Sequence, residues 1–141
     1  MKKYFFILVT LLFVNVTVHA QCTCGTAPDA QWTEMAARKN RTGPILKFKC
    51  ENQFVFTCRD TLWFRTGRYR CIGTCAATYK VNIIRGGTVV RTIDPFSFTT
   101  GFLSFSETGS YKVELRPSCN GTSCTSCYLY FTVSGAGCRT P

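Results

Sequence analysis

Apolar and polar residues alternate with a period of two through most of the chain beyond residue 45. Leu46 and Phe48 oppose Lys47 and Lys49, Phe54, Phe56 and Cys58 oppose Val55 and Thr57, and Tyr79, Val81 and Ile83 oppose Lys80 and Asn82. Further on, Tyr111, Val113 and Leu115 oppose Lys112, Glu114 and Arg116, which are expected to face water. Leu129, Phe131 and Val133 oppose Tyr128 and Tyr130. Side chains two apart share one face of a strand, so each run predicts a half-buried β-strand. Gly86-Gly87 precedes the run Thr88–Ile93, and a Gly-Gly link supplies the positive φ angles of a two-residue hairpin. Pairing across it would set Ile83 against Val90 and Val81 against Thr92, leaving one continuous apolar face. Asp94-Pro95 stops that ladder, and Glu107-Thr-Gly109 makes a turn before the next strand. Phe96, Phe98, Phe102 and Phe105 add bulk between them. Short strands with regular turn signals predict an all-β fold, an antiparallel sandwich.

Only Asp29 to Asn40 reads differently. Trp32, Met35 and Ala36 stand at helical spacing, with Arg38 and Lys39 late, where a helix dipole favours cations. The spacing predicts one short N-terminal helix, with a coil pinned by Trp32 as the alternative.

The head of the chain, MKKYFFILVTLLFVNVTVHA, has another character. Lys2 and Lys3 precede an apolar run over Tyr4 to Val14, and Val18-His19-Ala20 ends in a small residue. This pattern predicts a secretory signal peptide over residues 1–20, cleaved after Ala20. The run is shorter than the ~20 apolar residues a membrane span needs, so no retained anchor is expected. Gln21 before Cys22 argues against a lipoprotein. Removing 20 of 141 residues would leave 121, enough for one domain over 21–141. Losing two of 17 basic residues, against 7 acidic ones, would leave a net charge of +8.

Cleavage would also remove His19, the sole histidine. Ser-His-Asp and Cys-His catalysis would go with it, as would an imidazole zinc site. Paired carboxylates remain as a catalytic route, but Asp29, Glu34, Glu51, Asp60, Asp94, Glu107 and Glu114 show no spacing that forces two together. Glu114 reads as half of a solvated ion pair. No phosphate loop or calcium loop is present in the sequence. The expectation is a non-enzymatic protein without cofactor or metal.

Ten cysteines follow the signal: Cys22, Cys24, Cys50, Cys58, Cys71, Cys75, Cys119, Cys124, Cys127 and Cys138. An even count in an exported domain of this size predicts a disulfide framework. Cys124-Thr-Ser-Cys127 is a C-x-x-C, but it runs into a strand rather than opening a helix, which weighs against a redox or metal role. Ten cysteines allow about 945 connectivities. Local spacing suggests Cys71 with Cys75, Cys50 with Cys58, Cys119 with Cys124 or Cys127, and Cys22 or Cys24 with Cys138.

The cations suggest a surface. Arg68 and Arg70 flank Tyr69 as Lys47 and Lys49 flank Phe48, and Arg59 and Arg65 bracket Trp63. If those strands are neighbours, Lys47, Lys49, Trp63, Arg65, Arg68 and Arg70 form a cationic patch suited to an acidic glycan, with a solvated basic face as the bland alternative. Export argues against nucleic acid. Ile84, Val89, Tyr128 and Tyr130 project away from the expected core and form a candidate docking patch. Asn40-Arg-Thr and Asn120-Gly-Thr are glycosylation sequons, of use only in a eukaryotic secretory pathway.

Glu107-Thr-Gly-Ser-Tyr-Lys-Val-Glu-Leu115 resembles the late-strand signature of PKD-like and other immunoglobulin-like modules of bacterial surface proteins. Cys71-Ile-Gly-Thr-Cys-Ala-Ala-Thr-Tyr-Lys-Val81 and Cys119-Asn-Gly-Thr-Ser-Cys-Thr-Ser-Cys127 resemble segments of cysteine-rich members of that group. The resemblance spans about residues 50–135. It implies an immunoglobulin-like topology, a corner tyrosine at Tyr111 whose hydroxyl bonds to nearby backbone, and a bacterial origin. Val113 stands where an antibody domain has a bridging cysteine, and the Gly-Asp-Gly of PKD domains is missing. Fold analogy delivers no activity. The functional expectation is a secreted or cell-surface module, with periplasm as an alternative site. It would bind a protein partner, as an accessory subunit of an extracellular or outer-membrane assembly; the alternatives are an acidic-glycan binder and a basic antibacterial effector.

Overall fold

The computed structural model describes residues 22–25, 32, 35–135 and 137–139. The signal segment 1–20 and most of the stretch from Asp29 to Glu34 lie outside the described residues. Ten strands follow one another: β1 Met35–Lys39, β2 Ile45–Phe48, β3 Gln53–Phe56, β4 Thr61–Thr66, β5 Ala77–Arg85, β6 Thr88–Ile93, β7 Phe102–Ser104, β8 Gly109–Cys119, β9 Thr122–Ser123 and β10 Cys127–Val133. They build two sheets, β2-β1-β4-β7 and β3-β10-β8-β5-β6, with β9 beside β8. The fold is an all-β, sandwich-like arrangement with no helix among the described residues. Every strand pair is antiparallel except β3 with β10, which run parallel.

The helix expected up to Asn40 is overturned over Met35–Lys39, which forms β1. Met35 and Ala37 are buried while Ala36 and Arg38 are not, a period of two. The strand lies between β2 and β4 and uses both of its hydrogen-bonding edges. Two ladders outweigh the helical preference of Met and Ala. Trp32 is buried and bridges Tyr69, so it pins the approach to the sheet.

The two inner faces supply one core. Ala37, Leu62, Phe64 and Leu103 meet Phe56, Val81, Val113, Leu129 and Phe131. Phe96, Phe98 and Phe105 fill the space from the loops, Phe64 meeting Phe96 edge-on at 5.2 Å and Phe105 meeting Tyr111 at 4.7 Å. Aromatic pairs in such geometry add about 1 kcal/mol beyond area burial. Phe102 is the exception: it faces solvent, stacked on Trp63 at 4.8 Å.

The Gly86-Gly87 hairpin forms, with both glycines at positive φ. Its register differs from expectation below the tip. Ile84 pairs with Val89, but a bulge at Ile83/Ile84 shifts Ile83 to Arg91 and Val81 to Ile93. Val90 is the extra residue in β6, and the side chains after it turn over, so Arg91 rather than Val90 opposes Ile83, Val90 stays exposed and the continuous apolar face does not form.

All ten cysteines are paired, as Cys22–Cys75, Cys24–Cys124, Cys50–Cys127, Cys58–Cys138 and Cys71–Cys119. None of the expected pairings occurs, neither the short loops nor the clamp of Cys22 or Cys24 to Cys138. Strand register decides instead. The Glu51 amide donates to the Tyr128 carbonyl at 2.6 Å, which brings Cys50 to Cys127. Thr23 bridges Ile72, which brings Cys22 to Cys75. The separations run from 48 to 100 residues, so each link is worth about 4–5 kcal/mol by chain entropy, against about 2 for the short loops. Five disulfides belong to an oxidising, extracytoplasmic setting. Among the described residues no helix is long and apolar enough to cross a membrane.

Candidate functional site

The outer face of the smaller sheet carries part of the expected cationic patch. Arg38 of β1 pairs with Ile45 of β2 and with Trp63 of β4, and Trp63 pairs with Phe102 of β7. Directly opposed residues share a face, so Ile45, Arg38, Trp63 and Phe102 form one row across four strands. Lys47 lies in the adjoining row, opposite Ala36. Arg65 is exposed where the β1–β4 register shifts. The Arg41 guanidinium lies 5.6 Å from the Trp63 ring centre, a cation–π contact.

Other expected members separate. Lys49 is exposed just past the end of β2. Arg68 and Arg70 leave the sheet and help line a small pocket of about 170 Å³ beside Cys71 and Cys75. Sequence reasoning missed Phe102 and Arg41, both of which touch Trp63. Trp63 itself is half-buried, and Phe102 offers the more open ring. The Phe102-Leu-Ser104 alternation would have placed Phe102 outward, but its aromatic character suggested core.

The outer face of the larger sheet gathers the candidate docking residues. Tyr130 pairs with Lys112, Lys112 with Ile84, and Ile84 with Val89. These four residues therefore form one cross-strand row over β10, β8, β5 and β6. Tyr128 lies in the next row, opposite Glu114, with the Lys112 ammonium 4.0 Å from its ring centre. Val55, 66 % exposed, extends the apolar surface onto β3.

Glu114 is not solvated as expected; only 7 % of it is exposed. Asn82 Nδ2 donates to it at 2.8 Å, Ser126 Oγ at 2.9 Å and Arg116 at 3.0 Å. Burial works to raise its pKa, but these three donors hold it below the ordinary carboxylate range. The central position of β8 explains the burial: a side chain on its outer face is hemmed in by β5 and β10.

Asp60 is the second buried carboxylate. It receives the Thr57 amide at 2.8 Å, the Thr57 hydroxyl at 2.9 Å and Asn40 Nδ2 at 3.1 Å, and it pairs with Lys39 at 2.9 Å. Burial opposes ionisation, yet these partners hold its carboxyl far below the usual range. Its work is to lock the turn before β4 to the end of β1. The Asn40 side chain also accepts the Thr61 amide at 2.9 Å, so both ends of that sequon's amide are engaged within the fold.

Cys24, Cys119 and Cys124 bring three sulfurs within 4.8 Å of one another because two disulfides abut. Each sulfur is already bonded, which leaves no thiolate to offer a metal. Cys124 and Cys127 pair with different partners, Cys24 and Cys50, so the C-x-x-C is no redox couple. No protein-family model, curated protein or solved structure matches this chain.

Proposed function

We propose that this protein is an exported, non-enzymatic binding module that docks a protein partner at the cell surface through the outer face of its larger sheet. The observation that carries this reading is the row Val89, Ile84, Lys112 and Tyr130, four in-register residues on neighbouring strands. Strands lie ~4.8 Å apart, so the row spans roughly 15 Å. Val89 is 51 % and Tyr130 40 % exposed. Apolar and aromatic side chains on either side of one lysine suit a protein interface. The two carboxylates of shifted acidity are both spent on structural hydrogen bonds, which supports the non-enzymatic reading. The signal-like head supports export. The Tyr111 hydroxyl donates to the Glu107 carbonyl at 2.9 Å; this corner supports an immunoglobulin-like module of the bacterial-surface kind.

The test is co-purification of the tagged protein from the envelope of the cells that export it. Ile84→Lys with Tyr128→Glu should abolish recovery of the partner while the far-ultraviolet spectrum is unchanged. Undiminished recovery counts against docking on this face.

A second reading rests on the smaller sheet, where Arg38 and Arg41 lie against Trp63 of the Trp63–Phe102 stack and Lys47 and Arg65 stand on the same sheet. That face suits an acidic polysaccharide. Retention on immobilised heparin should fall steeply as salt rises, and no retention at low salt removes this reading.

A further inference from the structure

Where the two sheets part, between the edge strands β6 and β7, a cleft of about 560 Å³ opens. Ile83, Phe105 and Tyr111 form its buried apolar floor. Arg85, Arg91 and Arg139 reach it from three segments of the chain, with Glu107 as the one acid among the described residues that line it.

Register explains why arginines face inward here. Arg91 pairs with Ile83 and Arg85 with Tyr111, and both partners point to the core. Opposed residues share a face, so both guanidiniums lie on the inner side of the larger sheet. The alternation Val81, Ile83, Arg85 already carries this signal in the sequence. Arg85 is engaged by Glu107 in an ion pair. The Arg139 amide donates to the Ser106 carbonyl at 2.9 Å, which fixes that segment against the opposite wall. Among the described residues, no acid pairs with the side chains of Arg91 and Arg139. Three guanidiniums thus face one carboxylate in a concave site, where their field is focused and a bidentate carboxylate is the natural complement.

The neighbouring backbone narrows the occupant. Among the described residues β6 has one strand partner, β5, so its other edge presents unpaired amides and carbonyls beside the cleft. Such an edge accepts an extended peptide as an added strand. A sugar fits less well, because Phe105 and Tyr111 are buried and show no open ring for stacking. The geometry points to a receptor for the carboxyl terminus of an extended peptide. Its main chain adds to β6, its carboxylate lies between Arg91 and Arg139, and its last apolar side chain rests on Val90, the exposed apolar residue of the cleft wall. This cleft opens on the inner side of β5 and β6, opposite Ile84 and Val89, so it stands independently of the docking face.

A random heptapeptide library displayed with free carboxyl termini, selected on the oxidised full-length mature protein, tests the assignment. Enriched peptides should end in an apolar residue. Synthesised as free acids, they should bind in fluorescence polarisation at least ten-fold more tightly than the same peptides with a terminal amide. Arg91→Gln and Arg139→Gln should each weaken the free acid about ten-fold, whereas Lys47→Gln should leave it unchanged. Three results overturn the proposal: no enrichment above that on the Arg91→Gln/Arg139→Gln double variant, equal binding of acid and amide, or equal competition by methyl glucuronide. Should Arg91→Gln fail to fold, Arg139→Gln, in a terminal segment, decides alone.

Discussion

The two sheets turn different outer faces to solvent, although each carries a row of four residues across its strands. On the smaller sheet the row is Ile45, Arg38, Trp63 and Phe102; on the larger it is Val89, Ile84, Lys112 and Tyr130. Strands β1, β2, β4 and β7 contain no acidic residue, so that face is cationic. The larger face pairs two of its three cations with acids, Arg116 with Glu114 and Lys80 with Asp94 at 3.4 Å, and sets the third, Lys112, over the Tyr128 ring. The covalent bracing differs too. No cysteine falls within a strand of the smaller sheet, whereas Cys119 and Cys127 lie in β8 and β10. An apolar face whose charges are mostly paired, on a braced sheet, suits a rigid protein interface. A cationic aromatic face suits an extended anion.

The largest expected effect removes bracing from one side of this comparison. Cys50→Ala/Cys127→Ala should lower unfolding free energy by about 4 kcal/mol by chain entropy, read by denaturant titration under oxidising conditions. A loss below about 1 kcal/mol would show that strand pairing alone holds β3 to β10.

Next come the faces themselves. Ile84→Lys/Tyr130→Glu should weaken the protein partner by about 2 kcal/mol or more, as for central interface residues. Lys47→Glu/Arg65→Glu should leave that partner untouched and lower the salt needed for elution from heparin. The reverse pattern would exchange the roles of the two sheets.

Acid sensitivity separates them more finely. Asp60 and Glu114 are both more acidic folded than unfolded. The stability they confer is therefore complete above the unfolded values of about 4 and is lost as pH falls toward the folded ones. Thermal unfolding followed from pH 6 to 2 should show a falling midpoint. Asp60→Asn should flatten that fall more than Glu114→Gln, because Asp60 is held further below the ordinary range. An unchanged profile in both variants would reassign the acid response. The smallest effect belongs to Phe102→Ala, exposed on an edge strand, whose loss should cost about 1 kcal/mol of stacking and burial.

The sequence showed the strands and their faces well where one side of a strand meets core and the other meets water. The β10 alternation and the inward Tyr111, Val113 and Leu115 needed only a period of two. The glycine hairpin was legible for the same local reason, but its bulge was not, since the extra residue is set by packing over β6. Glu114 misled because its neighbours Lys112 and Arg116 are near the surface, while its burial depends on Asn82 and Ser126, distant in sequence. The disulfides were illegible for that reason in extreme form. Each joins segments that only the completed register brings together, as Cys71 and Cys119 show. Of the candidate cationic patch, Lys47, Trp63 and Arg65 share one sheet, while Arg68 and Arg70 follow the chain away from it.

The most direct measurement of the docking claim is site-specific photo-crosslinking in the exporting cells. A photoreactive residue replaces Tyr130 in one variant and Trp63 in another. Position 130 should yield a discrete crosslinked protein that disappears when Ile84→Lys is added. A discrete protein captured from position 63, with none from position 130, would contradict the account.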